Sequence, residues 1–313
     1  MASPVVDRVQ HQSRDARSLR WRAFRKSLLG REARVAYLFL LPYFILFLLF
    51  RLGPTVASFV LSLFNYRITG TAEFVGTKNY ELMASDPTFW QSLGVTLLFS
   101  AITVPLVTGF ALGAAMLINR KLRGIAIFRT IYFLPVVTSL VLAGVVWQWI
   151  YGLDGPINAV LAVFGIDPVK WIQSSALVVP SIALVAAWNR FGFGMLIFLA
   201  GLQAIPPEYK EAARMDGAGS WQVFRHITWP QLRPQVFFVL VIETIYSFQV
   251  FDAIYVMTGG GPARGSYTLV YMIYEQGFKF FNYGYAGAIG VALFALTLIF
   301  ALVQRRFFGK EDS

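Results

Sequence analysis

Apolar residues in this chain come in long blocks rather than at the spacings of a soluble amphipathic fold. Six blocks stand out, at 35–64, 92–118, 130–153, 177–205, 234–257 and 283–303. A membrane-spanning helix requires ~20 mostly apolar residues, and each block is long enough. Blocks 92–118, 130–153 and 283–303 contain no Asp, Glu, Lys or Arg, whereas 177–205 is interrupted by Arg190 and 234–257 by Glu243 and Asp252. The first block carries Arg51 and Pro54 where its helix should leave the bilayer. The pattern predicts an all-α polytopic membrane protein with six transmembrane helices.

The polar positions set its orientation. With the N-terminus inside, segments 1–34, 119–129, 204–235 and 304–313 are internal and hold 20 of the 27 Lys and Arg, against 5 in the external segments. This asymmetry places both termini in the cytoplasm. It also accounts for the net charge of +11 without nucleic acid, because the basic residues mark one membrane face. Composition agrees: 57% hydrophobic and 14% charged residues depart from the roughly 25% charged of soluble domains. The chain has no cysteine, and its two histidines, His11 and His226, lie far apart, so neither disulfides nor a metal centre is expected. The basic stretch 1–34 has the composition of a transit peptide, but it feeds into a span too long for a signal core and is expected to be an uncleaved cytoplasmic tail. No internal repeat is visible.

One internal segment, 206–230, is organised beyond the needs of a connector. Pro206 and Pro207 end the preceding span, and Pro207 suits the first turn of a new helix with Glu208 and Glu211 near its positive end. Asp216-Gly217 offers a left-handed exit, Ser220 is expected to cap the next turn, and Trp229-Pro230 to end it. Ala212 and Ala213 leave a small-residue surface for another backbone. A short, stiff helix across the inner mouth of the protein is expected.

The residues Glu211-Ala212-Ala213, Gly217, Ile227 and Trp229-Pro230 resemble the EAA loop of permease subunits of binding-protein-dependent ABC importers, with Trp229 in place of the pattern's leucine. Leu199–Pro206 before the loop, and Phe251-Asp252 through Thr258-Gly259-Gly260-Gly261-Pro262 after it, are similar to the carbohydrate branch, the channel subunits for maltose, lactose and glycerol 3-phosphate. The resemblance covers roughly 90–305. It implies a five-helix core of the type-I importer (MetI-like) class plus one N-terminal span over 35–64, flanked by cytoplasmic tails at 1–34 and 306–313. It also implies an inner-membrane heterodimer with a second permease, two ATP-binding subunits and an extracytoplasmic solute-binding protein. The chain lacks a G-x-x-x-x-G-K-[ST] loop, so ATP and Mg²⁺ are expected on partner subunits and no cofactor on this chain. Glu208, Glu211, Ala212, Ala213, Asp216 and Gly217 are the expected coupling residues.

Charges inside spans point to the pathway, since an ionised side chain at mid-bilayer costs ~2.5–3.5 kcal/mol on insertion scales. Glu243, Tyr246, Ser247 and Val250 share a helical stripe, and the resemblance places these four, with Asn189, Arg190 and Phe193, at sugar-contacting positions. Arg190 departs from the family pattern, which has a residue without a side chain there. Counted from Pro206 it sits ~24 Å from the inner end, against ~13 Å for Glu243 counted from Pro234. The favoured reading has Arg190 snorkelling to the outer interface; lining the cavity, gripping an anionic sugar, and pairing with Glu243 through a tilted helix remain open. Glu243, too deep to snorkel, is expected to line the cavity. Asp252 is expected near the outer interface, Trp147, Trp149 and Tyr151 in an outer aromatic belt, and Gly109 and Gly113 on a helix-packing face. An ion-coupled carrier using Glu243 is the competing function; an intramembrane enzyme lacks any Ser-His or His-Glu-His set in the spans.

Overall fold

The computed structural model describes residues 30–67, 70–119 and 124–308. The N-terminal basic stretch before residue 30, and the last five residues, lie outside this range. Two compact units divide the chain, Met1–Ser58 and Phe59–Ser313.

The first unit is built on α1 (Arg31–Phe47), a π-helical turn (Leu48–Leu52) and the start of α2 (Gly53–Leu61). They follow one another as a candidate span over Ala33–Leu61. Pro42 and the Leu48–Leu52 π-turn interrupt its regular hydrogen bonding without ending it, and the Thr55 hydroxyl donates to the carbonyl of Arg51 at 2.7 Å.

In the second unit a two-residue hairpin, β1 (Phe64–Asn65) with β2 (Glu73–Phe74), precedes α3 (Lys78–Ser85). Asp86 then caps α4 (Pro87–Ile118), its side chain accepting from the Thr88 amide at 2.8 Å, with Pro87 in the first turn. Next come α5 (Ile125–Val137), α6 (Leu140–Ile150), α7 (Pro156–Val163) and α8 (Val178–Ala204). The loop holds α9 (Pro207–Met215), α10 (Ser220–Val223), a π-turn (Phe224–Thr228) and α11 (Trp229–Gln231). The chain finishes with α12 (Arg233–Phe248), α13 (Asp252–Met257), α14 (Leu269–Tyr274), a π-turn (Glu275–Lys279) and α15 (Tyr283–Phe308).

Four helices among the described residues are long and apolar enough to cross a membrane, five if a bent pair is one span. That pair is the expected straight span 130–153, which instead turns by 97° between α5 and α6. The side chain of Asn189 holds the bend, donating to the carbonyls of Pro135 at 2.6 Å and Thr138 at 3.2 Å. Gly192, one turn along α8, lets α5 approach so closely that a Cβ there would collide with the Tyr132 carbonyl and sit 2.9 Å from Val136. The expected span 234–257 is α12, 16 residues or ~24 Å long, followed by a break and then α13.

Two apolar clusters fill the unit. One gathers Phe99, Ile182, Val185, Phe248, Ile254, Met257, Leu269 and Ile289. The other gathers Ala111, Ala115, Met195, Phe198, Leu202, Ile205, Leu232, Val236 and Val239. On α4, α8 and α12 the stretch between the two clusters supplies polar side chains: Ser100 and Thr103, Asn189 and Arg190, Glu243, Thr244 and Ser247. A polar layer is therefore sandwiched within an apolar bundle, where hydrogen bonds and ion pairs are stronger and harder to replace. The Ser247 hydroxyl donates to that of Ser100 at 2.7 Å, and Gln304 of α15 donates to Thr244 at 2.7 Å.

Other expectations are corrected. Tyr151 is buried, donating to the Ser181 carbonyl at 3.3 Å, and Trp147 packs against both Tyr151 and Trp188, so of the expected belt only Trp149 faces outward. Gly109 and Gly113 are exposed, with open space where a Cβ would be, so among the described residues they pack against no helix. Asp252 is not among these corrections: it is exposed in the first turn of α13.

Candidate functional site

The loop after α8 is built for stiffness. Pro206 and Pro207 set the entry to α9, Glu208 sits in its first turn and Arg214 in its last, each matching the helix dipole. At the exit Gly217 takes φ +83°, its amide donates to the Arg214 carbonyl at 3.0 Å, and that of Ala218 to Ala213 at 2.9 Å. This is the Schellman arrangement, and it requires a residue at home in the left-handed region. The next turn is capped by Gly219, not Ser220: the Gln222 side chain accepts from the Gly219 amide at 2.7 Å. Pro230 does not end the segment either. It sits in the first turn of α11, where its missing amide costs little, and the chain runs on helically from the π-turn.

Both roots of the loop are fixed in the bundle. Ile205 on one side and Leu232 on the other are buried in the same cluster, and Gly201 sits so close that a Cβ would come within 2.9 Å of Leu232. Between those roots the surface is open. Glu208, Glu211, Ala212, Asp216 and Gly217 are exposed and Ala213 half-buried. Grooves of about 260 and 390 Å³ flank α9, sharing Ala213, Asp216, His226 and Ile227. Sequence reasoning missed the largest apolar contributors here: Met215 is 88%, Trp221 68% and Tyr209 53% exposed. Their signal was present in the sequence as large apolar residues grouped within one charged loop, since it is a contiguous exposed apolar patch, not a single residue, that marks an interaction surface.

The polar layer holds the second group. Arg190 donates through Nε to one Glu243 oxygen at 2.7 Å and through Nη2 to the other at 2.9 Å. Its guanidinium carbon lies 3.6 Å from the ring centroid of Tyr246, a cation–π contact one turn from Glu243. The snorkelling reading of Arg190 is therefore corrected. Its reason is the reference level: Pro206 and Pro234 are not level with each other, whereas a Cβ on Gly194 would lie 3.5 Å from Val239. Arg190 and Glu243 each lie four residues from that contact, on the side away from the loop, so they stand at the same depth.

The expected pathway stripe separates. Glu243 is 1% exposed, its carboxylate sealed beneath the guanidinium. Asn189 is committed to the α5–α6 bend, Ser247 to Ser100, and Val250 is buried beyond the end of α12. Tyr246 at 52%, Phe193 at 40% and the Arg190 side chain at 22% stay open. Glu243 as the site of an ion-coupled carrier is not supported, since both of its oxygens are occupied.

A bundle of apolar helices with a polar layer at mid-depth and a rigid loop rooted in one end has the build of a transport subunit. The chain belongs to the family of binding-protein-dependent transport system inner membrane components, whose model matches residues 105–310. It is a multi-pass inner-membrane permease. It is 38% identical over 289 residues to the probable ABC transporter permease protein YesP of Bacillus subtilis, covering 90% of this chain and 93% of that one. It is 35% identical over 276 residues to the trehalose/maltose transport system permease protein MalF of Thermococcus litoralis, covering 87% and 93%. Among solved structures, a bacterial alginate ABC transporter in complex with its alginate pentasaccharide-bound periplasmic protein matches with TM-score 0.78 at 24% identity, over 90% of this chain and 95% of that one, a likeness of fold.

Proposed function

We propose that this chain is the channel-forming subunit of an ATP-driven importer that passes a sugar from an extracytoplasmic solute-binding protein into the cytoplasm. Its relatives named for trehalose/maltose transport support the carbohydrate class. The observation that carries the mechanism is the loop at Pro207–Gly217, mostly exposed yet rooted at Ile205 and Leu232 in the bundle. A lever of this kind transmits displacement only if it is stiff and the bundle has two discrete packings.

In this reading α9 seats in a groove of an ATP-hydrolysing subunit, with Glu211, Ala212, Ala213 and Asp216 at the contact and Met215 and Trp221 supplying apolar area. Closure of two such subunits around ATP and Mg²⁺ moves α9 sideways and rocks the helices from inward-open to outward-open. A loaded solute-binding protein biases the same equilibrium by binding one state more tightly. A second, different permease completes the pathway, and both termini lie in the cytoplasm with the basic loops.

The test is assembly and uptake with Gly217→Val. Left-handed backbone disfavours a β-branched residue by roughly 1–2 kcal/mol, which redirects the exit of α9. Copurification of the ATP-hydrolysing subunits should fall, and sugar uptake with it, while the chain still reaches the membrane. Unchanged copurification and uptake would refute the lever. Uptake that stops on ATP depletion but survives collapse of the membrane potential would separate this mechanism from ion coupling.

A further inference from the structure

We propose that Arg190, Glu243 and Tyr246 make the recognition face of the pathway electrically neutral, so that the cargo is an uncharged saccharide and not a sugar phosphate or uronate. The inference rests on the carbohydrate reading above and names the class within it. A lone guanidinium at this depth would favour an anion. Here its Nε and Nη2 are both spent on Glu243, at 2.7 and 2.9 Å, and the carboxylate is sealed from any substrate. An anionic sugar could reach that fork only by displacing Glu243 and stranding a carboxylate between two apolar clusters.

Apart from the edge of that guanidinium, already balanced by Glu243, what remains open is uncharged. One face of the Tyr246 ring is covered by the guanidinium, but half of the residue is still uncovered. Phe193, one turn from Arg190 on α8, offers a second aromatic surface on the same side of the helix. Nη1 of Arg190 is not used in the ion pair and can donate to a hydroxyl. Aromatic faces beside a few fixed donors match the C–H faces and hydroxyls of a pyranose, and the pair adds no net charge.

The test uses the complete transporter, with its partner permease, ATP-hydrolysing subunits and solute-binding protein, in proteoliposomes. Labelled maltose, trehalose, lactose and raffinose are offered alongside glycerol 3-phosphate and digalacturonate. At least one neutral sugar should be taken up at least about tenfold faster than either anion. In Glu243→Gln the guanidinium keeps its charge without a counter-charge, and digalacturonate inside the vesicles should then inhibit neutral uptake. Arg190→Gln/Glu243→Gln, neutral again, should lose that inhibition. Uptake of either anion by the unaltered transporter, or equal anion inhibition in all three proteins, overturns the proposal while leaving the carbohydrate reading intact. ATP hydrolysis without movement of any of these sugars would overturn both.

Discussion

Replacing Arg190 with methionine tests the energetics of the polar layer. The substitution keeps much of the side chain's volume but removes two charge-assisted hydrogen bonds and the stack on Tyr246. It leaves Glu243, 1% exposed, without its partner. Stranding one member of a buried pair costs about 3–5 kcal/mol, and the lost cation–π contact adds about 0.5–1 kcal/mol. Arg190→Met/Glu243→Met strands nothing, and replacing buried pairs by apolar residues is often neutral, so it should lie within about 1–2 kcal/mol of the parent. The cycle therefore predicts a coupling of at least about 2 kcal/mol between the two positions. Equilibrium unfolding in mixed micelles, followed by fluorescence of the chain's eight tryptophans, reads all four proteins. If the two single losses simply add in the double variant, to within about 0.5 kcal/mol, the pair is not the unit described here.

Gly192→Leu should be more disruptive than Gly109→Leu, because the first drives a side chain into the α5 backbone and the second meets open space; cell-surface yield and thermal midpoint would show the contrast. Outside the spans, Glu275 accepts from Tyr267 at 2.6 Å and from Lys279 at 2.8 Å. Burial raises its carboxyl, but these two hydrogen bonds outweigh burial and hold it below the usual carboxylate range. A lowered folded pKa stabilises fully above the unfolded value of 4.5 and is lost as pH falls through the folded one. The stability difference between the parent and Glu275→Gln in nanodiscs should therefore be constant near neutrality and shrink only below that value.

The spans were legible because length and apolarity suffice to recognise them, and the loop was legible because Pro206, Pro207 and Gly217 have few conformational uses. What periodicity could not show was which polar side chains face one another. Asn189 serves the carbonyls that a 97° bend frees and not the pathway alone, and in the apolar run 130–153 Pro135 was the local signal for that bend. Counting from Pro206 and Pro234 misplaces Arg190 because those prolines are not level; the register is set by Gly194 against Val239, a contact between residues 45 positions apart. Ser220 lost its capping role to a glycine because Gln222 reached back to the free amide instead. The misses concern which partner a side chain finds, near or far in the chain, and the hits rest on length, apolarity and local backbone constraint.

The most direct test of the account is a cross-link from the loop. Because the chain has no cysteine, Ala212→Cys introduces a unique thiol at an exposed position of α9. In native membrane vesicles, a short thiol-specific heterobifunctional reagent at that site should capture an ATP-hydrolysing subunit in a yield that changes with bound nucleotide. Transport-competent vesicles in which the thiol is labelled but captures no such subunit would contradict it.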